Sequence, residues 1–118
     1  MILVDTSVWV DHLVKGDPGL AELLGEGRVL THPLVVEELA CGRITKRAMI
    51  LGLLRALPSA VAASHDEVMA LVDLQRLHGK GLGAVDIHLL ASARLSGARI
   101  WSRDKALLGG AKTLGLLA

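Results

Sequence analysis

Four acidic side chains stand where a carboxylate could do chemistry. Asp5 follows three aliphatic residues, Ile2-Leu3-Val4, and leads into Thr6-Ser7. Asp104 follows Trp101-Ser102-Arg103 and opens Lys105-Ala106-Leu107-Leu108. Each reads equally well as a helix N-cap, because a short carboxylate accepts hydrogen bonds from the free N–H groups of a first turn. Asp86 lies at the start of an apolar run, among Ala84, Val85, Ile87, Leu89 and Leu90. The helix dipole favours an acid there, yet carboxylates are seldom buried unless paired or metal-bound. Glu38, in Val35-Val36-Glu37-Glu38-Leu39-Ala40, shares a helical face with Leu34 and Val35 behind it and Gly42 ahead. Glu37 points about 100° away, toward solvent. A glutamate at the edge of a face is the plain alternative for Glu38.

Together the four suggest one site. Converging carboxylates repel and raise one another's pKa, so such a cluster is sensible around a divalent cation. Hard oxygen donors suit Mg²⁺ or Mn²⁺ rather than zinc. The hydroxyls of Thr6, Ser7 and Ser102 are placed to support the ligands or a bound water. A cation held in this way lowers the pKa of water and neutralises phosphate oxygens.

These residues need elements to carry them. Ile2–Val4, Val29–Thr31 and Ala98–Ser102 read as short buried strands, with a minor strand at 60–63 and a terminal apolar stretch at 114–117. Between them lie helical segments at 8–15, 20–25 and 34–41, the last opened by Pro33 and stopped by Gly42. A further helix, capped by Thr45, is closed by Pro58, and another runs from Ser64 or His65 through Val68, Leu71, Val72 and Leu77. The last two helices are Val85–Leu95 and the one that Asp104 starts. Strands alternating with helices predict an α/β fold with a mainly parallel sheet. Ligands then bind beyond the carboxyl ends of the strands, where Asp5 and Asp104 fall.

Composition agrees with this picture. The 118 residues suit one domain, 1–118, and 52% hydrophobic with 21% charged residues is a globular composition. With two Trp and neither Phe nor Tyr, the core must be aliphatic. A net charge of +1 excludes a strongly basic nucleic-acid binder, but not an enzyme with modest, salt-sensitive affinity. The single Cys41 cannot form an internal disulfide, and no CxxC or Cys/His cluster offers a zinc site. No signal peptide or membrane span is evident, so a complete, soluble, cytoplasmic protein is expected.

Ile2-Leu3-Val4-Asp5-Thr6-Ser7-Val8, Val36-Glu37-Glu38-Leu39-Ala40-Cys41-Gly42, Asp86-Ile87-His88-Leu89-Leu90-Ala91-Ser92-Ala93 and Trp101-Ser102-Arg103-Asp104 resemble, in order, the four motifs of PIN domains. More narrowly, the chain resembles the VapC ribonuclease toxins of bacterial toxin–antitoxin pairs, over essentially its whole length. The resemblance implies a three-layer α/β/α sandwich around a parallel sheet of about five strands. It makes Asp5, Glu38, Asp86 and Asp104 the acidic metal-binding catalytic residues, supported by Thr6 or Ser7. It also implies RNA cleavage leaving a 5′-phosphate and a 3′-hydroxyl, a VapB-like antitoxin partner and a homodimer. The chain departs from the family pattern in carrying Ser102 where Thr is usual, and Leu107 and Leu108 where an aromatic often follows the last acid.

Arg43, Lys46, Arg47 and Lys80 could contact RNA phosphates, although a solvated helical face explains them equally well. Three rival readings compete. A metal-free ribonuclease would need two paired histidines, and nothing in the sequence pairs His12, His32, His65, His78 or His88. A phosphatase using Asp5 as nucleophile would ordinarily carry another Asp two residues on, where this chain has Ser7. In a non-catalytic interaction module, the acids would serve only as caps. The glycine-rich 79–83 loop lacks the GxxxxGK[ST] order and reads as a connector.

Overall fold

The computed structural model describes all of residues 1–118. Strand β1 (Ile2–Val4) is followed by helices α1 (Thr6–Lys15) and α2 (Pro18–Gly25), then β2 (Val29–Leu30). Helices α3 (Pro33–Cys41), α4 (Arg47–Ala56), α5 (His65–Leu74) and α6 (Ala84–Ser96) come next. Strand β3 (Arg99–Trp101) and α7 (Lys105–Thr113) complete the chain's regular structure. The sheet order is β2-β1-β3 and both pairings are parallel, with Leu3 opposite Leu30 on one side and Ile100 on the other.

Successive strand residues point to opposite faces. Leu3 and its neighbours Ile2 and Val4 are all buried, so helices cover β1 on both faces. This explains why β1 is a continuous aliphatic run rather than an alternating one. All of β1 and β2, and Ile100 of β3, belong to a core of 25 buried residues, among which Trp9 is the sole aromatic. Gly97, at φ 61°, takes the left-handed conformation that ends α6 and turns the chain into β3.

Three strands form the sheet, not the expected five or so. Of the segments expected at its edges, 60–63 forms no strand, the nearest pairing being Thr31 with Ser59 just before it, and 114–117 pairs through a single residue, Leu117 with Ile100. Pro58 has no N–H with which to lengthen the first pairing. Gly115, at φ 70°, turns the chain immediately before the second.

Two helix boundaries also differ. Lys46, not Thr45, precedes α4, in the left-handed conformation and with no side-chain cap. The short connection from α3 reverses the chain there, and the Arg47 guanidinium closes the end of α3 by donating to the Ala40 carbonyl. Helix α5 stops at Leu74, because Arg76 adopts φ 51°. Leu77 is buried as its spacing predicts, but it and the exposed His78 lie beyond the helix.

Candidate metal centre

Asp5 ends β1 and is 8% exposed. Its backbone N–H continues the ladder to the Trp101 carbonyl, at 2.9 Å. The side chain does not cap α1. Its Oδ2 instead accepts hydrogen bonds from the Ser7 and Ser102 hydroxyls, each at 2.7 Å. Both hydroxyls are themselves positioned by main chain: Ser102 accepts the Asp104 N–H at 2.9 Å, and Ser7 accepts the Arg103 N–H at 3.0 Å. One oxygen of a buried carboxylate is thus held by two donors.

Asp104 caps α7, with Oδ2 accepting the Leu107 N–H at 2.9 Å. Asp86, in the first turn of α6, folds back so that its Oδ2 accepts the Gly83 N–H at 3.0 Å. Glu38 is exposed rather than turned to the core; its Oε1 accepts the Thr6 hydroxyl at 2.7 Å. That bond brings α3 to the start of α1, one residue from Asp5. Cap and functional readings therefore coexist for Asp104 and Asp86, since each local bond occupies one oxygen only.

Two of the acids act on a third through space. Burial raises the pKa of Asp86, the Gly83 N–H opposes this, and the charges of Asp104 and Asp5 raise it further. None of the four acids is paired with Lys or Arg. The ion pairs of the chain are Arg28–Glu26, Arg103–Asp11 and Arg103–Asp17. This uncompensated, all-oxygen set matches what a hard divalent cation requires. The side chains do not form a closed cage as they stand, and no three carboxylate, His or Cys groups are gathered in ligating positions. The bonds from Thr6, Gly83 and Leu107 hold Glu38, Asp86 and Asp104 locally instead.

Among the basic residues expected at RNA, Arg43, Lys46, Arg47 and Lys80 are all exposed. Arg43 lines a groove with Glu38, Lys80 lines one with Lys105 beside α7, and Arg47 is committed to the end of α3. The histidines form no catalytic pair. His12 accepts the Asp17 N–H, His65 begins α5 at the surface, and His88 is half-buried on α6. His32 is 2% exposed, with one ring nitrogen on the Leu34 N–H and the other on the Ser92 hydroxyl.

Two residues near the site carry structure that the sequence does not signal. Arg103 adjoins Asp104, but its guanidinium turns away to bind Asp11 at 2.9 Å and Asp17, with its charge 6.0 Å from the Trp101 ring. The second is His32; the Pro that follows it marks a helix start but does not reveal which atoms cap it.

The PIN domain family model matches residues 2–111. Ribonuclease VapC32 of Mycobacterium tuberculosis, in strains CDC 1551 and H37Rv, is 55% identical over 108 residues, covering 91% of this chain and 87% of that protein. The crystal structure of PAE2754 from Pyrobaculum aerophilum superposes with a TM-score of 0.60 at 18% identity, covering 92% of this chain and 77% of that one. That likeness supports the fold. The chain belongs to the PIN-domain family, as a member of its VapC type.

Proposed function

We propose that residues 1–118 act as one endoribonuclease domain, the toxin of a toxin–antitoxin pair, and hydrolyse RNA phosphodiesters. The observation that carries this reading is that the charges of Asp5, at the end of β1, and Asp104, beyond the end of β3, both bear on Asp86 of α6, and that none of the three has a basic partner. It occurs in a chain 55% identical to a protein named as a ribonuclease.

Asp5, Glu38, Asp86 and Asp104 would hold the cation, Mg²⁺ or Mn²⁺. When bound, the cation supplies positive charge to the phosphate oxygens and acidity to a water. The protein's own part is positional. Ser7 and Ser102 fix Asp5 Oδ2 and leave Oδ1 for the cation, while Thr6 holds Glu38 beside Asp5. Arg43, Lys46 and Lys80 would meet RNA phosphates around the acids. Arg47 would contribute less, because its guanidinium already serves Ala40.

The partners of this reading are a VapB-like antitoxin and a second copy of the chain, in the cytoplasm. An apolar groove lined by Trp9, Leu13, Leu24, Ile50, Leu53 and Leu54 supports the first. The exposed Met69, Leu74 and Leu95 on α5 and α6 support the second. No helix is long and apolar enough to cross a membrane.

The test is RNA cleavage by the purified chain in Mg²⁺ or Mn²⁺, with growth followed on expression. Cleavage that stops in EDTA, returns with Mn²⁺ and is absent in Asp5→Asn is expected. Cleavage that persists in EDTA would transfer the chemistry to a metal-free mechanism, and wild-type cleavage by Asp5→Asn would remove Asp5 from the site.

A further inference from the structure

The most thoroughly bonded buried side chain outside the acid cluster is an imidazole. His32 stands at the N-cap of α3, a position where Ser, Thr, Asp and Asn are the preferred residues. Its Nδ1 accepts the Leu34 N–H at 3.0 Å, so that nitrogen carries no proton. Neutral His32 must then be protonated at Nε2, which lies 3.0 Å from the Ser92 hydroxyl on α6 and donates to it. Ser92 is fully buried. This is the one side-chain hydrogen bond that joins the α3 cap to α6. Burial, and then the charge of His88 one turn before Ser92, lower the His32 pKa, which keeps the ring neutral and the bond pattern intact.

A shorter cap residue would satisfy Leu34 and reach no further. The imidazole caps α3 with one edge and grips α6 with the other. Helix α3 carries Glu38 and α6 carries Asp86. Glu38 lies about 9 Å along α3 from the cap, at 1.5 Å per residue. A pivot of roughly 10° at the cap would therefore shift it by about 1.5 Å, and displacements of about 1 Å are costly at a reacting centre. We infer that His32 is a positioning residue: by tying the start of α3 to Ser92 of α6, it sets the helix that bears Glu38 against the helix that bears Asp86. This rests on the reading of those acids as cation ligands.

The test measures Mn²⁺ affinity, by loss of the free aqueous Mn²⁺ resonance signal, alongside RNA cleavage. The proteins are wild type, His32→Asn, Ser92→Ala and the double variant. Asn keeps an acceptor near the Nδ1 position and cannot reach Ser92. Ala removes the acceptor, leaves the cap and favours a helix interior, so it keeps the test open where His32→Asn does not fold. Each single variant is expected to bind Mn²⁺ about tenfold more weakly, with kcat lowered and KM for RNA unchanged. The double variant should be no weaker than either single, because both remove the same bond. Wild-type Mn²⁺ affinity in both single variants, or a double loss equal to the sum of the singles, overturns the role of His32 alone. A wild-type protein that binds no Mn²⁺ at millimolar concentration overturns the metal centre itself, and this inference with it.

Discussion

Asp104 carries two jobs on different atoms, and two substitutions separate them. Its Oδ2 caps α7 through the Leu107 N–H, while its charge is felt by Asp86. Asn caps a helix about as well as Asp, whereas replacing an Asp cap with Ala costs about 1 kcal/mol. For a chain of this size, that corresponds to roughly 4 °C in Tm. Asp104→Ala should therefore melt about 4 °C below Asp104→Asn in EDTA at pH 7, since both remove the same charge and only Ala loses the cap. Asp104→Asn should melt at or above wild type, because the cap survives and the repulsion on Asp86 is relieved. With Asp104 as the proposed cation ligand, both should lose RNA cleavage, since neither an amide nor a methyl group replaces an anionic ligand. Thermal unfolding by circular dichroism and cleavage of labelled RNA in Mg²⁺ read the two effects independently. Equal melting temperatures for the Asn and Ala variants would refute the cap. Cleavage by Asp104→Asn at the wild-type rate would refute the site.

Two further outcomes follow from packing and from charge. Gly109→Ala meets nothing within 4 Å and should stabilise α7 by about 1 kcal/mol. Gly110→Ala places its Cβ 3.0 Å from Leu90 Cδ1 and 3.3 Å from Leu82 Cδ1, and in a urea titration should be about 1–2 kcal/mol less stable than Gly109→Ala. The folded pKa of Asp86 lies above its unfolded value, so its charge subtracts from stability above the folded pKa, and that loss disappears as pH falls through it toward the ordinary carboxylate range. Asp86→Asn should be more stable than wild type at pH 7, the difference closing over that window. A difference that stays constant with pH would remove charge as its cause.

Residues whose roles depend on near neighbours were legible in the sequence. Ile2–Val4 had to be a buried strand, a helix had to start at Ser64 or His65, and Asp5 and Asp104 fall at strand ends because the aliphatic runs stop there. Helix α3 was legible from Pro33, but the exposure of Glu38 was not, since which face of a short helix meets solvent depends on α1 and α4. The bond between His32 and Ser92 spans 60 residues, and no local pattern announces it. The edge pairings failed as strands for a related reason. A run such as Ala60–Ala63 looks extended, but its pairing depends on partners across the sheet and on the missing N–H of Pro58.

The sheet order has a consequence for how the molecule comes into being. Strand β1 is made first and is central, yet one of its two partners is β3; one of the two hydroxyls on Asp5 comes from Ser102, and the amides that position both hydroxyls come from Arg103 and Asp104. At about 5–20 residues per second, a ribosome completes Asp5 several seconds before it reaches that loop. A nascent chain therefore carries Asp5 without its Ser102 bond, and without Asp86 and Asp104, for most of its synthesis. The site is assembled from both ends of the message, so a truncated product has the first carboxylate without the last.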